Sequence, residues 1–306
     1  MIMINNNELL KVEHLTKDVE RTSIKNGKKE TYVFTLKDID FAVEPGYIVG
    51  LVGCNGAGKT TLLQTILGIY RPDEGKILVN GYDRITEAKE SKKKIAYVTD
   101  ELLFPQGLSA RDIAKAYGPL YDGFDFEKYN SLCERFNIPM KKAMRKLSKG
   151  MKIKVQLAFS LSYDAALYIF DEPSAGLDPV FRKELMDYYF EIIADGNKSI
   201  ILSTHLTEEL DRIADYILYL EDGKQRFYMG KEELLEKYTL IRGTKNQVMY
   251  YRKRMLGLKE TDTGCEALIE NTEGDYPVSV HRMNPTIEDI MYYFKEEKTF
   301  GKDGNP

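Results

Sequence analysis

The run from Leu9 to Phe41 reads as antiparallel strands, with Asn26-Gly27, a favoured hairpin turn pair, between them. "YIVGLVG", Tyr47 to Gly53, is a short apolar run ending in glycines. "KTTLLQTILG" then places Leu62, Leu63, Ile66 and Leu67 at helical spacing, which predicts a helix stopped at Gly68. "GKILVNGYD" predicts a strand entering an Asn80-Gly81 turn, and "KKIAYVTD" a further strand. From about Ser109 to Ser162 the pattern is mainly helical, punctuated by Pro119, Gly123 and Pro139. Strand signals return in "ALYIFDEP", "KSIILSTH" and "ADYILYLEDG". A helical insert between strands of a parallel α/β core is the simplest organisation, with an antiparallel β-subdomain ahead of it.

After about Gly230 the pattern changes. "KEELLEKY" is amphipathic and "YPVSV" alternates like a strand. "PTIEDIMYYF" carries a Thr286–Asp289 capping box, with Ile287, Ile290, Met291 and Phe294 on one helical face. The expected division is residues 8–230 as the α/β core, its helical subdomain at about 100–162, and 231–306 as a small accessory α+β region. "KDGNP" reads as a frayed tail.

Composition narrows the class. With 306 residues, 43% hydrophobic and 30% charged, the chain suits a globular protein. A net charge of −4 gives no basic footprint, so nucleic acid is not an expected partner. Cys54, Cys133 and Cys265 are far apart and read as free thiols in a reducing compartment. No apolar run approaches the roughly 18 residues that span a bilayer. The N-terminus lacks a basic region followed by a long apolar core, so it is not a secretory signal. A cytosolic chain is expected; any membrane part must come from another chain.

"GCNGAGKTT" fits G-x-x-x-x-G-K-[ST] in full, between a strand and a helix, as that pattern requires. Its members are Gly53, Cys54, Asn55, Gly56, Ala57, Gly58, Lys59, Thr60 and Thr61. Glycines let such a loop curl around phosphate oxygens, and backbone N–H groups at the helix start converge on the anion. Lys59 would contact the β- and γ-phosphates, and the Thr60 hydroxyl would ligate Mg²⁺. The blander alternative is a glycine-rich turn before a core helix. Asp171 and Glu172 follow the apolar strand "LYIF". Asp171 would hold the Mg²⁺ shell and Glu172 would orient and polarise the attacking water. Adjacent strand residues point to opposite faces, so the pair works only at the strand terminus, which Pro173 favours. "LSKGMKIK" is less readily explained: Ser148 is a good N-cap, yet Lys149, Lys152 and Lys154 crowd a helix start where the macrodipole disfavours cations.

At this point the sequence resembles the ATP-binding-cassette (ABC) ATPases, a P-loop NTPase family, from about Lys11 to Gly230. "GCNGAGKTT" is similar to their Walker A, "LYIFDEP" to Walker B with its catalytic glutamate, and "SAGLD" to the D-loop. "LSTH" ends in His205 at the switch-histidine position, and "LSKGM" is similar to the signature, usually LSGGQ. The resemblance implies a head-to-tail dimer with a second ABC ATPase subunit and two ATP molecules between them. Each would lie on one phosphate loop and be closed over by the other subunit's signature. Ser148 and Gly150 would then contact the partner's γ-phosphate, Asp178 would couple the two sites, and His205 would bind γ-phosphate and support the water. On that reading a docking polyanion offsets the cost of Lys149, while Lys152 and Lys154 remain the solvated face of the helix.

Three departures from the family stand out. Asp100 replaces the usual glutamine in "YVTDE" and is a candidate metal ligand or metal sensor, set against a solvated strand-end acid. The aromatic that stacks on adenine has no clear counterpart: Val19 lies nearest, and Tyr32 or Phe34 are substitutes. Lys149 and Met151 replace a glycine and a glutamine of the signature. The segment near "DELLFPQGLSARD" sits where the family contacts separate transmembrane permease subunits. The C-terminal stretch resembles the tails of YtrB-like and bacitracin-exporter-like ATPases. Together these imply an ABC-2 type exporter ATPase, peripheral on the inner face of the cell membrane. The alternative is a soluble ABC ATPase that remodels or assembles a protein complex, for example in iron–sulfur assembly.

Overall fold

The computed structural model describes residues 8–25, 28–99, 103–174, 176–262, 264–271 and 280–300, with the backbone alone at 23–25, 28–29 and 297–300. The whole of "KDGNP", all of "YPVSV" but Val280, the Asn26-Gly27 turn and Asp100 lie outside the described residues. The chain divides into two compact units, one of residues 1–205 and 218–228, the other of 206–217 and 229–306. Leu206–Ile217, inside the 8–230 span, thus groups with the second unit.

In the first unit, β1 (Leu10–Lys25) and β2 (Lys28–Val43) pair antiparallel from Leu10↔Val43 to Lys25↔Lys28. Then come β3 (Ile48–Val52), α1 (Lys59–Ile66), β4 (Glu74–Val79), β5 (Tyr82–Asp83), α2 (Ala88–Lys93) and β6 (Ile95–Thr99). The helical insert holds α3 (Ala110–Tyr117), α4 (Phe126–Arg135) and α5 (Lys149–Ser160). After it run β7 (Leu167–Asp171), α6 (Pro179–Ile193) and β8 (Ser199–Ser203). Past α7 (Thr207–Ile213) come β9 (Tyr216–Glu221) and β10 (Lys224–Gly230).

One sheet has the order β5-β4-β1-β2-β10-β9-β3-β8-β7-β6. Its β3, β8, β7 and β6 are parallel neighbours, and β3, β7 and β8 are buried at every residue. Helices cover such strands on both faces, which is why these segments read as unbroken apolar runs. Strand β4 pairs with β1 only as far as Thr16↔Glu74. From Lys17 outward, β1 and β2 therefore form a two-stranded ribbon. In the insert, Ser109 and Asp112 form a capping box on α3, and Asp125 caps α4. Phe159 of α5 packs edge-on against Phe104 and Tyr121 and tilted against Phe124.

The second unit contains α7, α8 (Lys231–Lys237), β11 (Tyr238–Gly243), α9 (Lys245–Met249), β12 (Met255–Thr261), β13 (Gly264–Glu270), β14 (His281–Met283) and α10 (Ile287–Phe300). Its four strands are antiparallel in the order β12-β13-β11-β14. The Thr286–Asp289 capping box is present: Asp289 N–H donates to Thr286 Oγ1 at 3.1 Å, and Thr286 N–H to Asp289 Oδ2 at 2.9 Å. Ile287, Ile290 and Phe294 are buried as the spacing predicts, but Tyr293 is buried and Met291 only half-buried. Tyr293 takes the inner position because its hydroxyl finds Glu266 Oε1 at 3.1 Å, and Glu266 in turn pairs with Arg242. No helix among the described residues is long and apolar enough to cross a membrane.

Candidate functional site

The loop between β3 and α1 is shaped by what surrounds it. Gly58 holds φ +111°, and a Cβ there would lie 2.6 Å from Leu36 Cδ2 and 2.9 Å from Phe34 Cζ. Only glycine accepts both conditions. Ala57 is the buried anchor: its N–H donates to Cys54 O at 3.0 Å, and its carbonyl accepts from Gly223 N–H at 3.0 Å. Lys59 folds back over the loop and donates its Nζ to Gly53 O at 2.7 Å. Burial pushes its pKa down, opposed by the nearby Glu172 and Asp171 carboxylates. Cys54, Asn55, Gly56 and Thr60 are exposed along the rim, and Thr61 is buried.

Strand β7 ends at Asp171, and Glu172 leaves it with φ +54° while its N–H still donates to Ser203 O at 2.8 Å. That left-handed residue breaks the alternation of the strand, so neighbouring carboxylates face the same hollow. His205 donates its backbone N–H to Glu172 Oε2 at 3.1 Å and sets Nε2 3.1 Å from Oε1. Partial burial, then the Lys59 charge, hold the His205 pKa below its ordinary value. Asp171, Glu172 and His205 join the loop residues Cys54 to Gly56 and Gly58 to Thr60 around a hollow of about 230 Å³. Oxygen donors at this place, the Thr60 hydroxyl and the Asp171 carboxylate, are the hard set that Mg²⁺ takes.

A further residue lines that hollow: Arg21, from the β1–β2 ribbon. Its Nη2 donates to Thr61 Oγ1 at 2.8 Å, and its guanidinium lies 3.7 Å from the centroid of Phe34. The sequence offers no motif for it. Cross-strand register, Val19↔Phe34 and Arg21↔Tyr32, brings it to the loop. Of the candidate base platforms, Tyr32 is exposed, while Phe34 sits between Gly58 and Arg21.

Ser148, Gly150 and Asp178 do not line the hollow of their own chain. Ser148 caps α5, accepting Met151 N–H at 3.3 Å. Gly150 abuts the D-loop: a Cβ on it would lie 2.8 Å from Gly176 O. Asp178 caps α6 by accepting Phe181 N–H at 2.9 Å, which lowers its pKa. Lys154 corrects the sequence reading. Its side chain is only 19% exposed, 3.9 Å from Asp178 Oδ2 and 4.0 Å from the centroid of Phe181. It ties the signature helix to the D-loop instead of facing solvent, because its stem lies along the start of α6. Gln156, also unmarked by any motif, is buried and accepts Thr99 N–H at 3.2 Å, at the end of β6.

A loop of this kind after a buried parallel strand, with an acidic pair at the next strand's end, defines a P-loop nucleotide-binding cassette. The family model for "ABC transporter" matches residues 36–175. A second model, an AAA domain described as a putative AbiEii toxin, matches 142–211. The ABC transporter ATP-binding protein YtrB of Bacillus subtilis is 34% identical over 206 residues, 67% of this chain and 70% of that one. The SkfA peptide export ATP-binding protein SkfE of the same species is 34% identical, covering 62% of this chain and 80% of that one. A solved ATP-binding subunit of an ABC transporter superposes with TM-score 0.63 at 27% identity, over 74% of this chain and 91% of its own. The chain belongs to the ATP-binding proteins of ABC transporters. It is an ABC-type ATPase coupled to transport, and subunits of this family dimerise and associate with permease subunits.

Proposed function

We propose that the chain powers an ABC-2 type exporter from the inner face of the cell membrane. It does so by ATP-driven dimerisation with a second ATPase subunit beneath separate permease subunits. One observation carries the dimer: the phosphate loop, Glu172 and His205 share a hollow from which the same chain's Ser148 and Gly150 are absent. A second chain supplies them. In the closed site the backbone N–H groups of Gly56 to Thr60 and the Lys59 ammonium hold the phosphates. Thr60 and Asp171 would hold Mg²⁺, which when bound neutralises phosphate charge. Glu172 accepts a proton from water as its oxygen attacks the γ-phosphorus, the bond to the bridging oxygen of ADP breaks, and ADP and phosphate leave. His205 keeps the Glu172 carboxylate aimed.

Export is supported by the similarity to a peptide-export ATPase, and a permease contact by a groove of about 570 Å³ beside α5. Leu103, Phe104 and Phe159 give the groove an apolar wall, and Lys89, Lys92 and Lys93 line it with basic side chains. Gln156 lines this groove and is bonded to the end of β6, whose Thr99 is the register partner of Asp171. A permease segment seated there would press on the strand ends that hold the acidic pair.

Purified Glu172→Gln chain is expected to form a stable dimer with ATP and to turn over at least about 10²-fold more slowly. Parent-like turnover would remove Glu172 from the proposed role. Co-purification from membranes tests the partner: recovery with a polytopic membrane protein supports export, and recovery of soluble partners alone sinks it.

A further inference from the structure

We infer that Arg21 is the nucleobase platform of this site, a flat guanidinium seated on Phe34 that stacks the purine of the bound nucleotide. The inference rests on nucleotide binding at the phosphate loop and adds the residue that holds the base. Three observations converge. The Arg21 guanidinium lies 3.7 Å from the Phe34 centroid. Phe34 is itself pressed against the loop, 2.9 Å from where a Gly58 Cβ would stand. Arg21 Nη2 is pinned to Thr61 Oγ1 at 2.8 Å, and the side chain lines the hollow beside Cys54, Asn55 and Thr60.

A guanidinium has two flat faces, and Phe34 occupies one. The guanidinium spreads its charge over its own plane, so its other face offers a purine both stacking and cation–π attraction. Pinned at one end and stacked at the other, the side chain has little rotamer freedom left to lose on binding. Val19 occupies the position where an aromatic side chain is expected, and it pairs across the ladder with Phe34. Two residues further along the ribbon, Arg21 takes over the flat surface that Val19 cannot offer.

Calorimetric titration of the full chain and its variants with ATP, GTP and inorganic tripolyphosphate tests this. Arg21→Ala is expected to weaken ATP and GTP alike, by about 5- to 30-fold, and to leave tripolyphosphate within about twofold. Arg21→Lys keeps the charge without the plane and should behave like alanine. Arg21→Tyr keeps a plane without the charge and should restore ATP to within about threefold of the parent. The opposite order, with lysine retaining affinity and tyrosine losing it, would overturn the inference. So would an equal loss for tripolyphosphate, because Arg21 would then act on phosphate. Failure of the parent chain to bind ATP would refute the nucleotide reading beneath it.

Discussion

Glu172 and His205 grip each other at two points: the His205 backbone N–H bonds one carboxylate oxygen and its Nε2 lies 3.1 Å from the other. His205→Ala leaves the backbone contact and removes the second. Turnover is expected to fall about 10²-fold with ATP affinity within about twofold of the parent. Steady-state hydrolysis and equilibrium titration measured together check both halves, and an equal fall in affinity would place His205 in binding alone.

Two histidines of the chain shift in opposite directions. Burial and Lys59 lower His205 from 6.5, whereas the Asp38 hydrogen bond, then the Asp40 and Asp38 charges, raise His14 from 6.5. As pH falls through 6.5 the unfolded chain takes up a proton at position 205 before the folded one does, so this site loses stability in acid. His14 has the other sign: its contribution is complete below 6.5 and is lost as pH rises through its higher folded pKa. Imidazole NMR titration, assigned with His14→Gln and His205→Ala, should show midpoints on opposite sides of 6.5. Coincident midpoints would refute both environments.

Gly58 and Gly150 answer different questions when changed to alanine. At Gly58 the new Cβ meets Leu36 and Phe34 at a backbone φ of +111°. ATP binding by the monomer should drop at least about 10-fold. At Gly150 the Cβ instead meets the Gly176 carbonyl at 2.8 Å and displaces the D-loop. ATP-driven dimerisation of Gly150→Ala in the Glu172→Gln background should weaken about 10-fold, with monomer ATP affinity held within about twofold. Analytical ultracentrifugation with and without ATP separates the two.

Lys154→Met keeps the stem that packs along α6 and removes the ammonium shared by Asp178 and Phe181. The pair is half-exposed on the Asp178 side, so the effect is modest: turnover about two- to fivefold lower, with little change in ATP affinity. High salt should bring the parent's turnover toward the variant's, since screening weakens the contact that only the parent makes. A variant indistinguishable from the parent at low salt would remove the Lys154 ammonium from the coupling of the signature helix and D-loop.

On the proposed closed dimer, Lys149→Glu puts a carboxylate next to the partner's γ-phosphate. It is expected to weaken ATP-driven dimerisation about 10-fold and monomer ATP binding less than about twofold. Equal losses in both measurements would remove the trans contact from consideration.

Local pattern carried a great deal here. A phosphate loop is a contiguous run whose glycines, lysine and threonine are fixed by the curl of one short backbone segment, so Gly53 to Thr61 is legible in the linear chain. The buried parallel strands are legible for a similar reason, being covered on both faces and therefore apolar throughout. The α10 capping box was readable residue by residue, but which side chain filled its inner face was not. Tyr293 displaced Met291 from it because a partner carboxylate, Glu266, comes from another strand.

What tertiary structure alone decided is where distant positions meet. Arg21 reaches Thr61 through the register of a hairpin, and no local spacing encodes register. Lys154 reads as a surface lysine until α6 is laid beside it. Glu172 and Asp171 read as a pair from sequence, but their shared direction depends on one residue adopting φ +54°. Backbone chemistry within a few residues belongs to the sequence; the approach of segments far apart in the chain is set by packing, and packing is settled only by the whole fold.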